Sequence, residues 1–303
     1  MKKIRIKKAK NAFVYDKDSN KYYDLRCNSN ILGYGHKLLT SYTKNMLSSS
    51  WNIKMNTRHH DRMTGLYKRV FGEGRHIRTS NSLEEFFCRL FLSAAGKYRV
   101  IVTGKRFEKW LGMKNIKPID GEAEKNIKII DANEIFLSCN GDNERFKYEI
   151  RSMTENNDDT VILNYYWYPY PGIETGFADV VILPEIYCGN FGYISILVKD
   201  ENDLFDEITG RLSEIDSLFI SVSLKNYYLI MDALKKNNDM KLEWKGFISA
   251  GRLLVPENED DIDMLSEKLF EDKIIINDKP PYYNYMPINL EDYQKKRLRK
   301  AGI

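Results

Sequence analysis

A carboxylate closes one of the most apolar runs in the chain. In ADVVILPEIYCGNFGYISILV, Ala178 to Val198, the run Val180–Leu183 stops at Pro184-Glu185, and a second apolar run, Tyr193–Val198, follows a glycine-containing turn. Both runs read as buried strands, which leaves Glu185 where a core strand meets a turn. An acid there either holds a proton or repels anions, depending on its ionisation. A second chemistry-bearing cluster is Thr79, Ser80, Asn81 and Ser82, followed by Glu84 and Glu85. Small polar residues of this kind cap a helix start and offer hydroxyls and amides to an anion. His59, His60 and Asp61 contain metal-ligand types, but neighbouring side chains on a helix diverge by roughly 100°. They read as a solvated pair. Cys27, Cys88, Cys139 and Cys188 stand far apart with no CxxC pair. That spacing argues against zinc and for a reducing compartment.

The elements that must position these groups alternate between strand and helix. Phe13-Val14-Tyr15 and Tyr22–Leu25, around a turn at Asp16–Asn20, read as a hairpin. A helical pattern begins near Lys37. Met63, Leu66, Tyr67, Val70 and Phe71 mark an amphipathic helix that stops at Gly72. The clearest helix runs from the Thr79–Ser82 caps to Gly96, apolar nearly all round. Then come YRVIVTG, IKIID, a helix within Glu144–Met153, TVILNYYW, ADVVIL, GYISILV, a helix within Asn202–Leu212, SLFISV as a strand, and a helix around Tyr227–Lys236. Apolar strands buried on both faces, alternating with helices, predict an α/β layered sheet that is mainly parallel. The remainder, from FISAGRLLVP onward, reads as a smaller α+β lobe. The aromatic stretches YYWYP and PPYYNYMP read as packed segments, the first also as a pocket or interface lining.

The totals set the bounds. The chain has 303 residues, 43% of them hydrophobic, enough for a large core and more than one lobe. The net charge of +4 comes largely from the two ends and accompanies no basic–aromatic nucleic-acid motif. No apolar run approaches the ~20 residues of a membrane span. A cytoplasmic protein with no membrane or nucleic-acid partner is expected.

Four landmarks in order resemble a known family. NAFVYDKDSNKYYDLRCNSNILGYGHKLL, with Tyr15, Asp16, Asp24, Leu25, Gly33, Gly35 and His36 in matching sequence, is similar to the opening of class III aminotransferases, particularly the glutamate-1-semialdehyde aminomutase branch. RHIRTSNSLEEFFCRLFLSAAGKYRVIV resembles the family's Asn-Ser-Gly-Thr-Glu-Ala turn with its helix and strand. SLFISVSLKNYYLIMDALKK resembles its Thr-Phe-Ser-x-Asn-Pro segment, and KLFEDKIIINDKPPYYNYMPINL its C-terminal lobe. The resemblance implies fold type I, a three-layer large domain over residues 46–231, and a small α+β domain made of residues 1–45 with 232–303. It also implies pyridoxal phosphate (PLP) as cofactor, and a dimer.

That chemistry needs a lysine to form the Schiff base, a carboxylate on the pyridine nitrogen and a phosphate cradle. Carried onto this sequence, the cradle falls on Thr79, Ser80, Asn81 and Ser82, without the family's glycine. The ring-stacking aromatic falls on Phe107, outside the family's Tyr-His-Gly pattern. The ring-nitrogen carboxylate falls on Asn164, an amide. The serine segment falls on Ser221. In the family's Pro-Asp-(apolar)-x-(apolar)-Gly-Lys frame, Asp179 takes the Asp, Pro184 the Gly and Glu185 the Lys. A block between Phe107 and Ala178 is shortened. Two readings follow. In one, Schiff-base catalysis is lost, no cofactor is held, and the chain pairs with itself or an intact paralogue or binds a small ligand. In the other, PLP-dependent aminotransferase or aminomutase activity survives with displaced groups, Lys225 in SVSLKNYY serving as the amine.

Overall fold

The computed structural model describes residues 4–26, 32–48, 53–118, 125–154, 159–167, 173, 175–188, 191–199, 203–236 and 246–286. Among these the N-terminal part holds β1 (Ile6–Lys10), β2 (Phe13–Asp16), β3 (Lys21–Asp24), α1 (Lys37–Ser48) and α2 (Arg58–Phe71). Next come β4 (His76–Ser80), α3 (Leu83–Ala94), β5 (Tyr98–Thr103), α4 (Lys105–Met113), β6 (Lys125–Asp131), α5 (Ala132–Ser138), α6 (Asn143–Thr154) and β7 (Thr160–Asn164). They are followed by β8 (Val180–Ile182), α7 (Glu185–Cys188), β9 (Ile194–Val198), α8 (Asp203–Ile208), β10 (Gly210–Arg211) and α9 (Ser217–Lys236). The last are β11 (Phe247–Ala250), β12 (Leu253–Pro256), α10 (Ile262–Glu271), β13 (Ile274–Ile275) and β14 (Asn284–Tyr285).

The central sheet has the order β10-β4-β9-β8-β7-β6-β5. Strands β5 to β8 run parallel, β9 is antiparallel to β8, and β4 is antiparallel to β9. Strand β4 therefore points the same way as β5–β8, and all five end at one edge of the sheet. The inner strands are buried on both faces, as their unbroken Val/Ile/Leu runs require. The α/β layering expected from the sequence is the architecture found. The hairpin of β2 and β3 is also found, and β13, from the far end of the chain, extends it in parallel. A second small sheet joins β11, β12 and β14. Its strands contribute Leu253, Val255 and Tyr285 to the main core, and Tyr283, just before β14, lies there too.

Three expectations are corrected. Ser217–Val222 is not a strand but the start of α9. A short β-branched run fits either form, and no Gly or Pro interrupts the segment through Lys236, so one long helix forms. Thr79 and Ser80 are not at a helix start; they end β4, whose five residues pair with β9. His59 and His60 are not solvated. Both are buried on the face of α2 that also carries Met63, Leu66 and Tyr67, and His60 Nε2 lies 2.9 Å from the Ile215 carbonyl oxygen. The expected helices at 58–71, 83–94 and 143–154 are present. Cys27, Pro169 and the C-terminal EDYQKKRLRKAG segment lie outside the described residues.

Candidate functional site

Open α/β sheets place ligands beyond the carboxyl ends of their parallel strands. Here β6 ends in Asp131 and β7 in Asn164, paired in register, and Leu183-Pro184 lead from β8 to Glu185. Asp131 is 1% exposed. Its Oδ1 accepts from the Asn133 backbone N–H at 3.1 Å, which caps α5, and from Asn133 Nδ2. Its Oδ2 accepts from the Tyr283 hydroxyl at 2.7 Å, across 152 positions of sequence. Burial pushes the Asp131 carboxyl up to about 7, and the nearby Glu134 charge pushes the same way, against the Tyr283 and Asn133 hydrogen bonds.

Glu185 is 7% exposed and opens α7. Its backbone N–H donates to the Tyr166 carbonyl at 2.9 Å. Burial first, and the Glu185 charge second, raise both the Tyr166 and the Tyr285 phenols; Asp131 acts on Tyr285 as well. Tyr285 therefore stands within the fields of both buried acids. Its hydroxyl donates to the Trp167 carbonyl.

Among the described residues at the ends of β6 and β7, two buried atoms make no hydrogen bond: Asn133 Oδ1 and Asn164 Nδ2. Both side chains are fully buried. Their orientations are fixed by their partners. Asn133 Nδ2 donates to Asp131 and, at 3.2 Å, to the Asn164 carbonyl; Asn164 Oδ1 accepts from the Tyr166 N–H at 3.1 Å. An acceptor on Asn133 and a donor on Asn164 are thus left over, and each buried orphan costs about 1–3 kcal/mol. Beneath the cleft, Tyr67 and Cys188 both contact the Ser195 hydroxyl, at 2.9 and 3.5 Å. Burial pushes the Cys188 thiol up to about 11, which disfavours its thiolate form.

The residues singled out by sequence do not all meet here. Asn164 and Glu185 do. Thr79 Oγ1 donates to Arg211 O at 3.3 Å, Ser80 Oγ to Ser82 O at 3.2 Å and Asn81 Nδ2 to Glu85 Oε2 at 2.8 Å, while Ser82 Oγ receives the Glu85 N–H at 3.0 Å. Phe107 is fully buried in α4, stacked on Trp110 with centroids 5.6 Å apart. Ser221 is buried in α9 and donates to Leu218 O at 2.8 Å. Lys225 lies well inside α9 rather than at a helix start, partly exposed, and its charge lowers the pKa of His36, after burial. The groups that shift Tyr166 and Tyr285 do not include it.

Sequence reasoning missed Asp131, Asn133, Tyr283 and Tyr285, whereas Tyr166 lies in YYWYP, the stretch read as a pocket or interface lining. The signal for Asp131 was present: like Glu185, it ends an apolar strand. Tyr283 and Tyr285 carried none, because they reach the strand ends only through the packing of the C-terminal segment. Among the described residues no trio of His, Cys, Asp or Glu could hold a metal, and no helix is long and apolar enough to cross a membrane.

The architecture was compared with solved structures. Ornithine delta-aminotransferase from Plasmodium falciparum superposes with a TM-score of 0.65 at 12% identity, covering 98% of this chain and 91% of that one. The fold is that of the fold type I aminotransferases. A beta-phenylalanine aminotransferase from Variovorax paradoxus gives 0.66 at 13% identity, with 98% and 86% covered. N-acetylornithine aminotransferase from Stenotrophomonas maltophilia gives 0.62 at 12%, with 99% and 96% covered. No protein-family model matches the chain, and no curated protein does.

Proposed function

We propose that this aminotransferase-fold chain does not carry out Schiff-base catalysis and instead uses the strand-end cleft to bind a small ligand, as a non-catalytic subunit. The observation that supports this is the buried carboxylate of Glu185 directly after β8, where the resemblance calls for a lysine. A carboxylate cannot condense with an aldehyde. No lysine is buried among the described residues.

The remaining groups also fail to fit PLP. Asn164 is an amide and cannot keep a pyridinium charged by ion pairing. The turn opening α3 engages all four of its small polar side chains internally and sets Glu84 and Glu85 in the first turn. Glu84 and Glu85 pair with Lys114 at 2.7 Å and Arg89 at 2.6 Å, so the acids a phosphate dianion would meet at the strand ends are Asp131 and Glu185. Like-charge repulsion at close range amounts to several kcal/mol away from bulk water.

The pairing of β13 with β3 supports a small lobe formed from both chain ends, within residues 1–45 and 232–303, against a large lobe of 46–231. We assign the chain to the glutamate-1-semialdehyde aminomutase-like branch on the order of its landmarks. A cytoplasmic location follows from the scattered cysteines, of which Cys88, Cys139 and Cys188 are free. Partnership with a second copy or with an intact paralogue is the assembly this reading implies. Titration with PLP tests it. No protein-bound imine band is expected in the visible spectrum, and a saturable one would overturn the reading.

A further inference from the structure

Charge is spread unevenly along this chain. Between Lys37 and Phe71 it carries seven lysines and arginines against one acid, Asp61. Between Glu257 and Asp272 it carries eight aspartates and glutamates against one cation, Lys268. The first stretch builds α1 and α2, which both pack on α9. The second builds α10 and the turn that leads into it. Exposed apolar side chains collect on the basic elements. Leu38 and Leu47 of α1 are 59% and 60% exposed, Met55 is 64% exposed and Tyr228 of α9 is 51% exposed. Of the twelve residues of α1, only Met46 is buried. A single exposed leucine is ordinary, but a group of them on one layer of helices, among cations, marks an interaction surface. The cations have no counter-charges within the chain. Among the described residues no ion pair engages Lys37, Lys44, Lys54, Arg62, Lys68 or Arg69. In the acidic stretch Arg106 and Lys109 hold Glu259. The remaining acids there are exposed, and Met264 stands among them 67% exposed.

We propose that the face of α1, α2 and α9 docks the acidic α10 of a second copy of this chain. Charge complementarity names the occupant. Two basic faces repel, and so do two acidic ones, so the contact joins unlike surfaces. An anionic lipid or a nucleic acid would meet the cations and leave the acidic helix without a role; a second copy uses both. The exposed leucines and methionines of the two surfaces supply the dry centre of such a contact, and the charges set its register and its rate of encounter. In a two-fold pair each copy gives one surface of each kind, so both contacts form together. The pairing rests on the reading of the chain as a partnered, non-catalytic subunit and deepens it by naming the surfaces that meet.

The test is sedimentation velocity of the full chain from about 0.1 M to about 1 M salt, over which the screening length falls from about 10 Å to about 3 Å. A dimer is expected at low salt, weakening about tenfold across the series. Lys44→Glu with Arg62→Glu turns the basic face acidic, and Glu267→Lys with Glu271→Lys turns α10 basic; all four side chains are exposed. Each pair of substitutions is expected to weaken the dimer about tenfold. Mixing the two variants restores association, as does placing all four substitutions in one chain. A wild type that stays monomeric at every salt concentration overturns the inference. So does a dimer indifferent to both pairs of substitutions, or a mixture of the two variants that does not associate. A monomeric wild type that binds phosphatidylserine vesicles or duplex DNA gives the basic face another occupant and overturns it too. Should a variant fail to fold, the wild-type salt series and the other variant decide. A borohydride-trapped PLP adduct would instead refute the underlying reading, whereas no adduct and no dimer refutes this inference only.

Discussion

The turn that opens α3 and the cleft at the ends of β6, β7 and β8 lie at the same edge of one sheet, and both are made of short polar side chains. They differ in how those side chains are satisfied. In the turn, Thr79, Ser80, Asn81 and Ser82 each bond to a nearby chain group, and Glu84 and Glu85 complement the positive end of the helix. At the strand ends, Asp131 holds the Tyr283 hydroxyl, while Asn133 Oδ1 and Asn164 Nδ2 hold nothing. A polar cluster that closes on itself is structure, and one that leaves buried valences open is a candidate for recognition.

The wall beside the cleft sharpens that contrast most. Phe107 packs against Phe87, Trp110 and Trp167, and Trp167 in turn meets Tyr283 with centroids 5.4 Å apart. Phe107→Ala is expected to cost about 3–5 kcal/mol in urea unfolding, the range for truncating a buried aromatic. A loss below about 1 kcal/mol would mean that the ring serves a ligand rather than the core.

Asp131 gives the next largest effect. Its pKa is raised in the folded state, so the folded protein holds a proton that the unfolded chain releases near pH 4. The stability this confers is fully present below that unfolded value. It is lost as pH rises through about 7. From about pH 5 to pH 8, wild type should lose on the order of 2–4 kcal/mol that Asp131→Asn does not lose. Parallel pH profiles for the two proteins would show that Asp131 ionises normally and would undo the picture of the cleft as a dry, acidic site.

The turn should respond least. Ser82→Ala removes one cap, worth about 1 kcal/mol of stability in urea unfolding. No measurable loss would mean that the Ser82 hydroxyl does not hold the start of α3.

Much of this molecule is legible in its sequence, for physical reasons that can be named. The buried strands announce themselves because burial on both faces demands unbroken apolar runs, and α2 and α3 because their faces repeat at helical spacing. Glu185 stands out because an acid rarely ends a core strand. Strand β4 is hidden, since its one apolar residue in HIRTS, Ile77, gives no period. Helix α9 is misread because SLFISV is as good a strand as it is a buried helix turn. The cleft is half legible: Asn164 and Glu185 follow from strand order. Tyr283 and Tyr285 arrive only through the pairing of β14 with β12 and of Tyr285 N–H with Leu25 O. No local pattern records such long-range contacts.

The account turns on which side chain answers an aldehyde at the end of β8. Incubating the full chain with PLP, reducing with borohydride and mapping peptides by mass spectrometry asks this directly. The account predicts that no lysine carries a phosphopyridoxyl group in stoichiometric yield. A stoichiometric adduct on a single lysine, Lys225 foremost, would contradict it.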